Sequence, residues 1–329
     1  MSNAKELGER RIIELFFENI SKDPKMIVPF GDDVSAADLG RGLAVIKTDM
    51  LVASTDIPPG MTPWQAGRKA VVGTISDLAA KGAEPRGVLV SLGIPSDYLE
   101  TDLLEIARGI NAAAREYGTY VLGGDTNECK DLVISVMLLG VAKKGRIALR
   151  STAHPGDILA VTGLFGKTGA GLRLLMEKGL QISKEDEKEL LESVYRPKAR
   201  LKEGVALNRN KLLTSAIDSS DGLAWSLHEL GRASGVGFTV EELPTAESVK
   251  RFAKINDKRL EDLVFYGGEE YELVLTISPW NWKKAAKIVE QVGCDLKQIG
   301  YATKEKRVIF KKGAEEIGIL PKGWEHFKT

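Results

Sequence analysis

Between Glu6 and Ile20 the apolar residues Ile12, Ile13, Phe16, Phe17 and Ile20 recur at helical spacing, which predicts an amphipathic helix. A loop carrying Pro24, Pro29 and Gly31-Asp32-Asp33 follows. Leu43 to Lys47 reads as a strand that ends in Thr48-Asp49, and Ile57 to Met61 as a Pro/Gly-rich loop. Pro63 then opens a helix expected to run to about Lys81. Beyond it come a strand at Gly87 to Ile94 and an amphipathic helix at Tyr98 to Tyr117, stopped by Gly118. A short strand at Tyr120 to Leu122 runs into Gly123-Gly124-Asp125-Thr126, and a buried strand spans Leu132 to Ala142. The second half alternates similarly. Strands are predicted at Ile158 to Val161, Ser215 to Ile217 and Glu272 to Ile277. Helices are predicted at Gly169 to Lys178, Lys184 to Tyr195 and Gly222 to Ala233. This alternation predicts an α/β or α+β fold. The polar stretch Lys143 to Asp157 places a domain boundary near residue 150, giving domains 1–150 and 151–329.

A length of 329 residues exceeds one ordinary core and agrees with two domains. The chain is 43% hydrophobic and 28% charged, as soluble globular proteins are. Lys plus Arg and Asp plus Glu each number 46, so nothing asks for a nucleic-acid or anionic-membrane partner. Apolar runs such as Leu132 to Ala142 are too short to cross a bilayer, and Met1 to Glu6 lacks a signal-peptide stretch. A cytoplasmic protein is expected. Cys129, Cys294, His154, His228 and His326 do not cluster, which argues against a zinc site. Any metal must be held by oxygen.

The acids supply that oxygen. Asp32, Asp33, Asp49, Asp77, Asp125, Asp218 and Asp221 all fall at predicted turns or helix starts, beside Gly, Ser or Thr. Strand ends in α/β folds collect ligand-binding groups at one edge of the sheet. Carboxylates gathered there repel one another, and a hard cation such as Mg²⁺, shared with substrate phosphates, relieves that repulsion. Taken singly, Asp77 or Asp221 could equally be a helix cap. Asp218 and Asp221, three apart with Ser219 and Ser220 between, suit a metal–phosphate site better. Gly166-Lys167-Thr168 resembles the end of a phosphate-binding P-loop. Val161 stands where that loop needs its first glycine, so a tight turn is the better reading. No protein-kinase signature is present.

Several segments recur together in order: Gly31-Asp32-Asp33, Lys47-Thr48-Asp49, Ser76-Asp77-Leu78-Ala79-Ala80-Lys81-Gly82-Ala83 and Gly123-Gly124-Asp125-Thr126 in the first half. Arg150-Ser151, His154-Pro155-Gly156-Asp157, Ile217-Asp218-Ser219-Ser220-Asp221-Gly222, Gly267-Gly268-Glu269-Glu270-Tyr271 and Gly323-Trp324-Glu325-His326-Phe327 follow in the second. The ordered set resembles the thiamine-monophosphate kinase family in its archaeal form. That family shares a superfamily with aminoimidazole-ribonucleotide synthetase, selenophosphate synthetase and a hydrogenase-maturation protein.

The resemblance implies an N-terminal α/β domain whose sheet pairs two chains into a homodimer, and a larger C-terminal α/β domain. It implies ATP in the cleft and transfer of its γ-phosphate to thiamine monophosphate, giving thiamine diphosphate. Thr48, Asp49, Asp77 and Asp125 would hold several Mg²⁺ ions, Asp33 and Asp218 would complete the cluster, and Asp221 would hold a further ion. Gly124, Asp125, Arg150 and Ser220 carry over as nucleotide contacts. Glu269 and Trp324 carry over as substrate contacts, accepting from the aminopyrimidine and lying against the rings. No general base is implied, because a phosphate acceptor is already ionised near neutral pH. Lys47 stands where a serine is common; it replaces part of a metal's charge or touches a phosphate. Asp56, in the loop where a substrate histidine is common, is a further candidate substrate contact; Lys81 stands where a methionine is common, and Glu270 where an aspartate is common. The competing readings are another ATP-dependent enzyme of the superfamily and a non-catalytic nucleotide-binding paralogue.

Overall fold

The computed structural model describes residues 4–7, 9–19, 27–28 and 31–327. Ile20, Pro24, Pro29 and the side chains of Phe16 and Phe17 lie outside the described residues. The first half holds helices α1 (Ala4–Leu7), α2 (Glu9–Asn19), α3 (Ala53–Asp56), α4 (Pro63–Lys81) and α5 (Glu100–Glu116). Its strands are β1 (Ser35–Asp38), β2 (Leu43–Val52), β3 (Glu84–Ile94), β4 (Val121–Glu128) and β5 (Val133–Ala142). The second half holds α6 (Lys167–Met176), α7 (Lys184–Tyr195), α8 (Leu201–Arg209), α9 (Leu223–Ser234), α10 (Glu247–Ile255), α11 (Leu260–Tyr266) and α12 (Trp282–Gln291). Its strands are β6 (Ile158–Val161), β7 (Ser215–Ser219), β8 (Gly237–Val240), β9 (Glu272–Ile277), β10 (Lys297–Thr303), β11 (Val308–Lys312) and β12 (Glu315–Gly318).

A five-stranded sheet in the order β1-β2-β5-β3-β4 forms the first half, and a seven-stranded sheet, β12-β11-β8-β10-β6-β9-β7, the second. The mixed α/β architecture is the one the alternation predicts. Three predicted strand ends need correction, one of them in β7, which runs past Ile217 through Asp218 to Ser219. β2 does not stop at Thr48-Asp49 but runs on to Val52, because it pairs antiparallel with β5 from Leu43↔Ala142 to Val52↔Val133. β4 does not stop at Leu122 but continues through Gly123-Gly124-Asp125 to Glu128, paired in parallel with β3. Gly124 faces Val90 there, and a Cβ on it would lie 1.8 Å from the Val90 carbonyl oxygen. The glycine permits close strand approach rather than a turn.

α4 starts where Pro63 predicts. Thr62 caps it in a box with Gln65, and Gly82 ends it at φ +63°. It is buried along most of its length, wedged between the first sheet and α8, β7 and β9 of the second half. α5 crosses it closely: a Cβ on Gly109 would lie 2.0 Å from the Trp64 carbonyl oxygen. The helices cover one face of the first sheet, so Ile46, Met50 and Leu89 on the other face stay exposed, as do Val121 and Leu122 of β4. No helix among the described residues is long and apolar enough to cross a membrane.

Candidate active site

α4 brings a polar stripe into this core. Lys69, Gly73, Asp77 and Lys81 recur every four residues and share one helix face. Asp77 sits within the last two turns of the helix and not at its start, so it caps nothing. The cap reading fails for Asp221 too: α9 is preceded by Gly222 and has no side-chain cap bond. Neither acid caps a helix.

Asp77 meets Asp33, from the turn before β1, and Asp218, from inside β7. Oxygens of these three buried carboxylates lie within 4.8 Å of one another. Burial pushes the Asp218 carboxyl up to about 7, and Asp33 adds to the rise. Burial likewise holds Asp77 well above the usual carboxylate range, with Asp218, Asp49 and Asp33 repelling its charge. Asp33 behaves oppositely. Burial works against its charge, but Arg150 and Lys81 together hold it below its ordinary value.

The cations are specific. Lys81, fully buried, places Nζ 2.6 Å from Asp32 Oδ1 and 2.7 Å from Asp33 Oδ2. It also donates to the Ala216 carbonyl of β7 at 2.8 Å, tying the 31–33 turn to the second sheet. Lys47 Nζ lies 3.0 Å from Asp77 and 3.1 Å from Asp49. Arg150 donates from Nε to Asp33 at 2.8 Å and also through Nη2, and from Nη1 to the Gly31 carbonyl at 2.7 Å. Its backbone N–H donates to Asp32 Oδ2 at 3.0 Å.

Lys47, Asp49, Asp77, Arg150 and Asp218 line a cleft of about 360 Å³. Of the residues expected at the site, the cleft is lined by Lys47, Asp49, Asp56, Asp77, Arg150, Asp218, Ser220, Asp221, Glu269 and Trp324. Asp33 joins through the acid cluster. Thr48, Gly124 and Asp125 are not among the lining residues; they lie exposed on β2 and β4. The Asp56 carboxylate accepts from the Val52 N–H at 2.7 Å, so its own turn engages it. Arg10 of α2 reaches the rim, stacked 3.5 Å from the Trp225 ring centroid and 3.0 Å from Glu229.

The far end of the cleft is a strained loop. Glu269 and Tyr271 take φ of +64° and +52°, a region that side chains avoid. Their N–H groups donate to Ser220 and Ser219 carbonyls at 2.6 and 2.9 Å, which holds the strain. Glu270 between them turns away and accepts from the N–H groups of Gly166 (2.6 Å) and Thr168 (3.2 Å). This explains the P-loop-like turn. Its amides bind the protein's own carboxylate, and burial pushes Glu270 up to about 7. Trp324 is fixed by its N–H to the Asp221 carbonyl at 3.1 Å.

Sequence reasoning missed Lys69 and Tyr271, both of which line the cleft. The four-residue stripe inside an otherwise apolar helix was the signal for Lys69. Tyr271 stood at the end of the Gly267–Tyr271 segment with no role assigned to it.

Residues 31–142 match the family described as AIR synthase related protein, N-terminal domain, and residues 154–312 its C-terminal domain. A thiamine-monophosphate kinase from Nitrosopumilus maritimus is 37% identical, covering 98% of this chain and 99% of its own. One from Pyrococcus abyssi is 39% identical, covering 97% and 96%. The chain belongs to the thiamine-monophosphate kinase family. The solved structure of AaThiL complexed with AMPPCP and TMP superposes with a TM-score of 0.86 at 27% identity, covering 99% of each chain. For a kinase of this family, the cleft separates two chemistries: acids and cations on one side, a carboxylate and an indole on the other.

Proposed function

We propose that the protein transfers the γ-phosphoryl group of ATP to thiamine monophosphate, releasing ADP and thiamine diphosphate. The observation that carries this reading is the convergence of Asp77 and Asp218, clustered with Asp33, in one cleft with Glu269 and Trp324. Curated relatives named thiamine-monophosphate kinase, and the AMPPCP and TMP complex, support it.

Mg²⁺ fits the residues present. Three buried carboxylates with too little compensating charge offer only hard oxygen donors. Asp33, Asp77 and Asp218, with Asp49 and Asp221 lining the same cleft, would hold it. Bound there, Mg²⁺ supplies charge to the phosphates and relieves repulsion among the acids. The chain's own residues do the positioning. Lys47 keeps Asp49 and Asp77 beside each other, and Lys81 with Arg150 fixes Asp33. Ser220 and Arg150, which line the cleft, would contact the nucleotide. The acceptor is a phosphate oxygen, largely ionised near pH 7, so no side chain must remove a proton. The bond from the γ-phosphorus to the bridging oxygen breaks as the new P–O bond forms.

The exposed face of the first sheet, with Ile46, Met50 and Leu89, together with Val121 and Leu122 on β4, supports pairing of two chains through it. Thr48, Gly124 and Asp125 lie on those same strands. The two sheets and the two family matches support a division near residue 150. The composition supports a cytoplasmic location.

Purified protein with ATP, Mg²⁺ and thiamine monophosphate is expected to yield thiamine diphosphate, read by chromatography. Bound ATP without product would overturn the kinase reading in favour of a non-catalytic paralogue.

A further inference from the structure

The polar stripe of α4 spans the cleft. With a rise of 1.5 Å per residue, Asp77 and Lys69 stand about 12 Å apart along the axis. Asp77 marks the acid end, so Lys69 marks the far end, where Glu269 projects from the strained loop. Lys69 is buried yet lines the cleft. Its Nζ lies 2.5 Å from Glu269 Oε1 and donates to the Asp56 carbonyl at 2.7 Å. An ammonium carries three donors and no acceptor, and an ionised carboxylate only accepts. Those contacts engage two of the three donors, and Nζ has no further partner among the described residues.

A donor-only group beside an acceptor-only group is the complement of an amidine edge. A 4-aminopyrimidine presents such an edge: an amine that donates, beside a bare ring nitrogen that accepts. We propose that Lys69 and Glu269 read this edge together, Glu269 accepting from the 4′-amine and Lys69 giving its remaining N–H to N3′. The inference rests on the kinase reading for the identity of the substrate. It assigns Lys69 as a specificity-determining residue, where the family resemblance named Glu269 alone for the aminopyrimidine. Asp56 then contributes through its carbonyl, which holds Lys69, and not through its carboxylate. A 4-oxo pyrimidine inverts both positions. Its N3′–H would face the ammonium and its carbonyl the carboxylate, leaving buried groups unpaired.

Calorimetric titration of the full chain tests this with thiamine monophosphate, its 4′-oxo analogue, and an analogue with CH in place of N3′. For the wild type, the CH analogue is expected to bind roughly 10- to 100-fold more weakly, the scale of a hydrogen bond to a charged group. The 4′-oxo analogue should lose more. In Lys69→Met, thiamine monophosphate and the CH analogue should bind equally within about twofold, since the donor is gone. Equal binding of these two by the wild type overturns the proposal, even if the variant fails to fold. Discrimination that persists in Lys69→Met also overturns it, by giving N3′ to another donor. Turnover, measured in parallel, separates the two readings. Discrimination in binding without product formation would sink the kinase reading and leave the edge-reading pair standing.

Discussion

Asp77 and Asp218 project from the interiors of α4 and β7, elements fixed by packing on several sides, whereas Glu269, Tyr271 and Trp324 hang from a strained loop and the C-terminal tail. The contrast separates two tasks. Phosphoryl transfer depends on charges held in place, and acids built into the helix and strand that join the halves would meet that need in the proposed reaction. Substrate choice depends on a few directed polar groups, and a loop can present these where regular structure cannot. The loop's conformation is tolerated because Ser219 and Ser220, next to Asp218, accept its N–H groups. The far end is thereby anchored to the acid end.

The largest effect should come from the acid end. Lys81→Met leaves Asp32 and Asp33 buried beside a lost cation, and is expected to cost about 3–5 kcal/mol in urea unfolding. Wild-type stability would show that Lys81 does not hold those charges. Asp77→Asn and Asp218→Asn should each lower kcat by roughly 10²- to 10³-fold while keeping a cooperative melt. Turnover within a few-fold of wild type would remove these acids from the reacting end. At the other end, Glu269→Gln should raise KM for thiamine monophosphate about tenfold with kcat little changed. A fall in kcat at constant KM would instead place Glu269 with the acids.

A last test sharpens the comparison by pH. Asp218 and Glu270 are both pushed up to about 7 by burial. A carboxyl raised in the folded state keeps its proton after the unfolded chain has lost it. Metal-free stability should therefore fall as pH rises from about 4 to 7, by at most about 1.4 kcal/mol per pH unit for each group. Mg²⁺ is expected to remove the share due to Asp218 and leave that of Glu270. Glu270→Gln should remove the other share whether or not Mg²⁺ is present. Thermal melts across pH, with and without Mg²⁺, check this; a slope untouched by the ion would detach Asp218 from the metal end.

Local signals were readable where their physics is local. Thr62, Pro63 and Gly82 bound α4 close to where the sequence placed it, because caps act within one turn. The acids beside Gly and Ser stood out as a group, and three of them, Asp33, Asp77 and Asp218, come together in the fold. Glycines misled at Gly123-Gly124, where the absent Cβ serves strand contact with Val90 and not a turn. At Gly166-Lys167-Thr168 the partner of the turn's amides is Glu270, 102 residues from Thr168, which no local pattern reveals.

The sequence by itself determined the inventory: oxygen donors without a soft-metal site, no P-loop, two α/β halves, and a set of ordered motifs. Only the tertiary structure decided which members of that inventory meet. Lys81 reaches Ala216 across 135 positions of chain, and Lys69 finds Glu269 only because α4 is wedged against the second half. Hydrogen bonds and charge pairs act over a few ångströms, while sequence spacing fixes neighbours only within a turn or a strand. Partners from different elements are chosen by packing, and packing is where this cleft acquires both its acid floor and its reading edge.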